Sequence, residues 1–600
     1  MRTGATVAAL FTTPKRNDTT AGTHVAEPDV RRRIGLAHGS WRRVTRRIVV
    51  GAVCALTVSS LLMPSVSLAA EWVKVGGNKY NTAASDEAGT WSWDGADDLK
   101  LNNYNGGEIQ AAGKLNVNYS GTNIVTAEWI ESINVSHGTN ENAELNIQGD
   151  EGGTLSVTST EDAILSTGNI NIDGAGSVNA TSTGFDAINA GGDLAIKGSG
   201  NVNATGASDG IRANGNITID DSGAVTARAT KDKGIGTDKN LTIKGGGTVE
   251  ASSADGEALW SGGNINISDG SQVKASSEKD AAVEAKGSLA ATNASLNVNG
   301  VEYGVYAHKD ITLDHANVTV RASKGRYGGA NALFTYQDDI VVKNGSTVDA
   351  FAEGEVSAAL STRNDRPNEK GGHIYISDSV VKAIARYVEN GDGPIPYSEN
   401  QDGETRREPQ GENIGIIAQT SEGVTPAVIS IIRSKVTAEG DTAAIFARAM
   451  SADGKTIGTI KIENAAIQTP EGGKVIDYRK LRDGIYEAGQ AIGTGDATVD
   501  SLYIKAVAKS TTTAPPEVAK PEDPKPDETK PAESKPAESK QNPKPEGSKP
   551  TKAVAASTTK AKTTGVLAAT GDTSGAAIVA TALAGTAAIA AGTMASRKRS

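Results

Sequence analysis

The sequence predicts an all-β chain wound as a right-handed parallel β-helix, a solenoid with three short strands in each coil of about 24 residues. Three observations carry this expectation. Apolar residues open equivalent segments at Leu145, Ile170, Leu194, Ile217, Leu241, Ile265 and Leu289, at intervals of 25, 24, 23, 24, 24 and 24 residues. Within one unit the pairs Ile170/Ile172, Val178/Ala180 and Ile188/Ala190 alternate with period two, as strands with one buried face do, and Gly, Asn, Asp and Ser separate them. Aromatic residues make up only 4% of the 600 residues while glycine numbers 69, so the core must be built from Val, Ile, Leu and Ala in a repetitive frame. No helical apolar stripe runs through this region, and the LxxLxL runs of leucine-rich repeats are missing.

At the N-terminus, Arg42, Arg43, Arg46 and Arg47 precede an apolar run from Ile48 to Met63, and Ser67-Leu68-Ala69-Ala70 supplies small residues. This is the pattern of a secretory signal peptide over 1–69, cleaved after Ala69 or Ala70. Thr45-Arg46-Arg47 keeps a twin-arginine export route open beside the general one. Cys54, inside the apolar run, is the sole cysteine, so the mature chain has no disulfide, thiolate metal ligand or cysteine nucleophile.

Residues 70–144 are expected to form an N-terminal cap and the first irregular coils, and 145–508 the β-helix, with Ile311, Ile340, Ile374, Ile429 and Ile460 continuing the series at longer intervals. Stacking sets equivalent residues of successive coils about 4.8 Å apart. Asn169, Asn216, Asn240 and Asn264, with Asp193 and Ser288 at the same position, then form a ladder at one corner that satisfies turn polarity. A second column places Asp162, Asp186 and Asp209 above one another, followed by Lys233 and Glu257. Carboxylates at that spacing repel unless a cation lies between them or they fan into solvent. Two readings stand: a Ca²⁺ site with oxygen ligands, or a hydrated edge bridged by Lys233. Regularity breaks after Ala383, and the polar stretch from Asn390 to Asn413 is expected to project as a loop, with Tyr387 and Tyr397 offering faces on which a sugar can stack. His137, His308, His315 and His373 are scattered and read as surface or turn residues.

From 509 to 566 the chain is rich in Pro, Lys, Glu and Ser and includes KPAESKPAESK. It lacks the apolar residues to fold and at about 3.1 Å per residue extends roughly 180 Å, the reach of a wall-spanning linker. Leu567-Ala568-Ala569-Thr570-Gly571 follows, then an apolar run over 576–595 of membrane-spanning length, closed by Arg597, Lys598 and Arg599. The formal net charge is −11, and both terminal segments are basic, so the region between them is more acidic still. That field disfavours nucleic acid, and it disfavours an anionic membrane except through the C-terminal segment.

The order of pentapeptide, apolar stop and basic tail resembles the sorting signal of Gram-positive cell-wall proteins, in the LAxTG form of actinobacteria, with Ala568 where the commoner signal has Pro. The resemblance implies that a sortase cysteine attacks the Thr570 carbonyl and passes the chain to a peptidoglycan amine, leaving a secreted protein on the cell wall. The coil run from Asp186 to Ile219 resembles the bacterial carbohydrate-binding β-helix family related in fold to pectate lyases, and the stretch from Gly89 to Gly107, with Trp91 and Trp93, is similar to the N-terminal cap of related surface proteins. This implies a polysaccharide or host glycan as partner. A polysaccharide-binding protein or adhesin is the expected function. A uronate lyase using Ca²⁺ with Arg212 or Arg228 near Asp209 is the alternative, and a passive spacer the third; no catalytic residue is assigned.

Overall fold

The computed structural model describes residues 69–513 apart from 129–130, 139–142, 324–328, 368–369, 389–397, 400–404, 407–411, 453, 483–484 and 495–508. The signal segment up to residue 68, Tyr397, most of the linker, Leu567–Gly571 and the apolar run 576–595 lie outside the described residues. All described residues belong to one compact unit, Met1–Lys520. Among them no helix is long and apolar enough to cross a membrane.

Short strands recur in threes and stack coil on coil into three parallel sheets. In the first sheet Leu145 lies beside Ile170, and the register continues through Leu194, Ile217, Leu241, Ile265 and Leu289. It carries on without a slip through Ile311, Ile340, Ile374, Ile429 and Ile460. The longer intervals late in the chain are absorbed by turns, because a one-residue slip would turn every core side chain to solvent. The second sheet stacks Leu155, Val178, Val202 and Val225, and the third stacks Ile164, Ile188, Ile211 and Ile235. These side chains are 0–2% exposed and join one continuous apolar cluster.

The corner between the first and second sheets reuses one device in many of the coils. Asp221, Asn293, His315, Asn344, Asp378, Arg433 and Asn464 each directly follow a first-sheet strand and adopt positive φ, between 45° and 56°. Gly198 and Gly245 occupy the same place in their coils with φ of 81° and 84°. One left-handed residue reverses the pleat and swings the chain to the next face, and Asn, Asp and Gly tolerate that conformation best.

Parallel stacking begins earlier than residue 145: Asp98–Asn102 pairs with Lys114–Ser120, which pairs with Glu144–Gly149. Leu99, Leu101, Leu115 and Val117 already alternate and are buried. Beyond them Trp91–Trp93 turns antiparallel on Asp98–Asn102, and Trp91 and Trp93 join the same apolar cluster. At the other end, Ala443–Ser451 pairs antiparallel with Ile485–Gly493, itself in a hairpin with Lys474–Arg482. Antiparallel strands thus cover sheet edges at both ends, where a bare parallel coil would offer unpaired backbone.

Candidate ligand-binding face

The corner ladder forms, and its bonds run mainly from backbone N–H donors to side-chain oxygens. The Asp193 N–H donates to Asn169 Oδ1 at 2.9 Å, the Asn216 N–H to Asp193 Oδ1 at 2.6 Å, and the Asn240 N–H to Asn216 Oδ1 at 3.3 Å. The Asn264 and Ser288 N–H groups continue it at 2.9 Å each. The column reaches further than expected: the His373 N–H donates to Asp339 Oδ1, and the Val428 N–H to His373 Nδ1 at 3.1 Å. His373 is therefore a buried, neutral rung, and burial lowers its pKa. A shallow groove of about 530 Å³ runs over this ladder between Asn171 and Asn266, but the ladder's Oδ1 atoms already accept backbone donors.

The acidic column follows the same logic at the corner between the second and third sheets. Asp162 Oδ1 accepts the Asp186 N–H at 2.9 Å, Asp186 Oδ1 accepts the Asp209 N–H at 2.9 Å, and Asp209 Oδ1 accepts the Lys233 N–H at 2.6 Å. Asp162 Oδ2 also accepts from Asn189 at 3.0 Å. Burial is the first cause that raises all three carboxyls, carrying Asp186 and Asp209 to about 6, with the neighbouring aspartate adding repulsion. Among the described residues a group of three carboxylates with oxygens within 4.8 Å of one another forms at Asp94, Asp97 and Asp98, and the column is not such a group. Arg212 is held by Asp209 at 3.7 Å and Asp238 at 2.8 Å, and Arg228 lies in the second sheet beside Glu250 at 3.6 Å.

Tyr387 ends the strand Val380–Tyr387, and its N–H donates to Asp441 Oδ2 at 2.6 Å. The next strand of the solenoid begins at Asn413, with the short antiparallel pair Ser398–Glu399 and Thr405–Arg406 between them, so the excursion leaves and returns at the corner that also carries the acidic column. Asp209 and this point are seven coils apart, roughly 34 Å at about 4.8 Å per coil. The structure therefore does not bring the column and Tyr387 together.

A different face gathers chemistry. In the third sheet, the residue after each buried apolar position lies on the opposite side of the sheet from the core, and strict register stacks Arg212, Gly236, Trp260, Glu284, Tyr306, Phe334 and Ser361, of which Glu284, Phe334 and Ser361 are themselves buried. Tyr306 stacks on His308 at 4.6 Å and on Tyr303 at 5.0 Å, and Phe334 lies 5.3 Å from each tyrosine. Lys233 Nζ sits 5.3 Å over the Trp260 ring. Between the two aromatic groups Glu284, 7% exposed, pairs with Lys286, and His308 Nε2 lies 3.2 Å from Glu284 Oε1. Glu257 stands one coil earlier, two residues before Leu259, which pairs with Val283. Burial first, and then the Glu284 carboxyl, push Glu257 up to about 7. Burial works the same way on Glu284, but Lys286, Glu257 and His308 together hold it below the usual carboxylate value.

Ring faces beside fixed hydrogen-bonding groups suit a pyranose, whose C–H face packs on aromatic carbon while its hydroxyls meet the polar rim. Sequence reasoning passed over this face because it weighed His308 alone and followed the acidic column only to Glu257. Carrying the third-strand register one residue past the apolar position and three coils beyond Glu257 would have exposed it, since Trp260, Glu284, Tyr306 and Phe334 occupy one repeat position.

Neither a family model, nor a curated protein, nor a solved structure matches this chain.

Proposed function

We propose that this chain is an exported, cell-wall-anchored surface protein whose right-handed β-helix head binds polysaccharide on the outward face of its third sheet. The observation that carries the reading is the Trp260–Glu284–Tyr306–Phe334 column, which sets aromatic side chains beside the buried Glu284 carboxyl on a hydrogen-bonded strand array. Such an array presents subsites at a fixed repeat, suited to an extended polymer. The wall anchor rests on the LAATG segment, the apolar run and the basic tail behind it. The extended linker and membrane segment belong to the same reading: one spans the wall, and the other holds the chain for sortase.

A glycan array probed with the purified protein tests it. The double variant Trp260→Ala/Tyr306→Ala should lose at least tenfold in affinity for any bound glycan, while Thr242→Ala on the first sheet leaves binding unchanged. Equal binding by parent and double variant would remove this face from consideration.

A further inference from the structure

We propose that the strand Lys509–Thr513 is a releasable strap: tension carried by the linker withdraws it before any coil unwinds, and the head stays folded. That use rests on the wall-anchored reading, in which the linker is the path by which load reaches the head; it does not depend on the ligand.

The second sheet is parallel up to Lys435–Gly440. Its next strand is Lys509–Thr513, which runs antiparallel, with Thr512 opposite Val436 and Lys509 opposite Glu439. On its far side the same strand pairs antiparallel with Ala466–Thr469, the last strand of that sheet. In the first sheet the corresponding strands, Val428–Ile432 and Thr459–Glu463, pair directly and in parallel. The final coil is therefore closed on one face and opened by one strand spacing, about 4.8 Å, on the next. On the third face Ile485–Gly493 fills the same opening from its hairpin. On the second face the root of the linker fills it.

This strand is held more lightly than a coil strand. Lys-Ser-Thr-Thr-Thr contains no Val, Ile, Leu or aromatic residue, so it adds no large apolar side chain to the core. Thr512 supplements the backbone pairing: it is 0% exposed, and its Oγ1 accepts the Val436 N–H at 3.1 Å and donates to the Ser434 carbonyl at 3.1 Å. By contrast Val436 and Ala438 of the adjoining strand lie in the continuous core. Their coil is also fixed by Val428–Ile432 against Thr459–Glu463 and by Ala443–Ser451 against Ile485–Gly493. A coil strand cannot leave without unwinding a whole turn. The strap can leave from its linker end and disturb neither of those pairings. The aromatic face ends at Phe334, three coils before Phe446 in the strap's own coil, and is untouched by the release.

Single-molecule stretching of the full chain, held at its two ends in a Cys54→Ala background, tests the strap. Withdrawal frees about 20 residues beyond Gly493, a gain in length of at most about 70 Å. This should be the first event, at a force below that at which coils unwind. Under constant load Thr512→Val should bring it forward about fivefold or more, because two hydrogen bonds go and the Val436 N–H loses this acceptor. Val436→Cys/Thr512→Cys, opposed in register, should form a disulfide that abolishes the event until a reductant restores it. A first event that already releases one or more whole coils overturns the proposal. So does a first event of the expected length that persists in the bridged protein, since another segment then yields. Thiols that stay free under oxidant would mean that residues 436 and 512 are not neighbours, and would remove the strap itself. Failure of the wall-anchored reading would show only in the fractionation of Thr570→Ala and would leave the stretching results as they are.

Discussion

Asp186→Asn should make the protein more stable at neutral pH and leave it unchanged in acid. Asp186 is largely buried, and burial with the repulsion of Asp162 raises its pKa from 3.8 to about 6. The folded protein therefore binds this proton more tightly than the unfolded chain does. Stability falls as pH rises from about 4 to about 6, and the penalty is fully present above that window. A rise of about 2 units corresponds to roughly 3 kcal/mol at 1.36 kcal/mol per unit. Asparagine keeps the oxygen that accepts the Asp209 N–H at 2.9 Å, as Asn169, Asn216 and Asn240 do in the corner ladder, and it removes the charge. The expected gain is about 1–3 kcal/mol at pH 7.5, shrinking towards zero at pH 3.5, where the carboxyl is protonated in both states. Urea unfolding followed by circular dichroism at the two pH values, with and without Ca²⁺, measures it. A loss of stability at pH 7.5 that appears only with Ca²⁺ would refute the reasoning and put a cation in the column. A loss of equal size at both pH values would mean that the side chain holds its place by something other than its charge state.

Ile217→Asp introduces a carboxylate at a position that is 0% exposed between Leu194 and Leu241, at a cost of several kcal/mol; limited proteolysis should cut the neighbouring coils, and a fragment pattern like the parent's would contradict the register. Asn216→Ala removes the acceptor for the Asn240 backbone and side-chain N–H groups, which water only partly replaces, so urea unfolding should register about 0.5–1.5 kcal/mol; an unchanged midpoint would show that the rung bears no structural role. Thr570→Ala should divert the protein from the wall to membrane or medium; unchanged release by muralytic digestion would exclude sortase transfer.

The path of the core was legible because burial enforces period two within a strand and a constant phase between coils. That constraint carried the register from Leu145 to Ile460 even where intervals lengthen. The ladder was legible for the same reason, since a corner donor must be satisfied in every coil and Asn, Asp or Ser can supply the acceptor. Outward residues obey no such rule. Trp260, Glu284, Tyr306 and Phe334 stand 24, 22 and 28 residues apart and share no residue type, so only the paired strands reveal that they adjoin. The aspartate column was visible as an alignment, but the backbone N–H at each Oδ1 was not, and that bond gives each of these carboxyls a capping role at its turn.

The left-handed corner has a consequence for how such a surface can change. Between first-sheet and second-sheet strands the chain never uses more than four residues, whereas the other two corners lengthen freely, most of all between Tyr387 and Asn413. One edge of the solenoid therefore acts as a spine that fixes the phase of every coil, and novelty accumulates along the other two. Both of those edges border the third sheet. Insertions there can deepen, wall in or reshape the ground on which a polymer would lie, while the stacking beneath remains untouched.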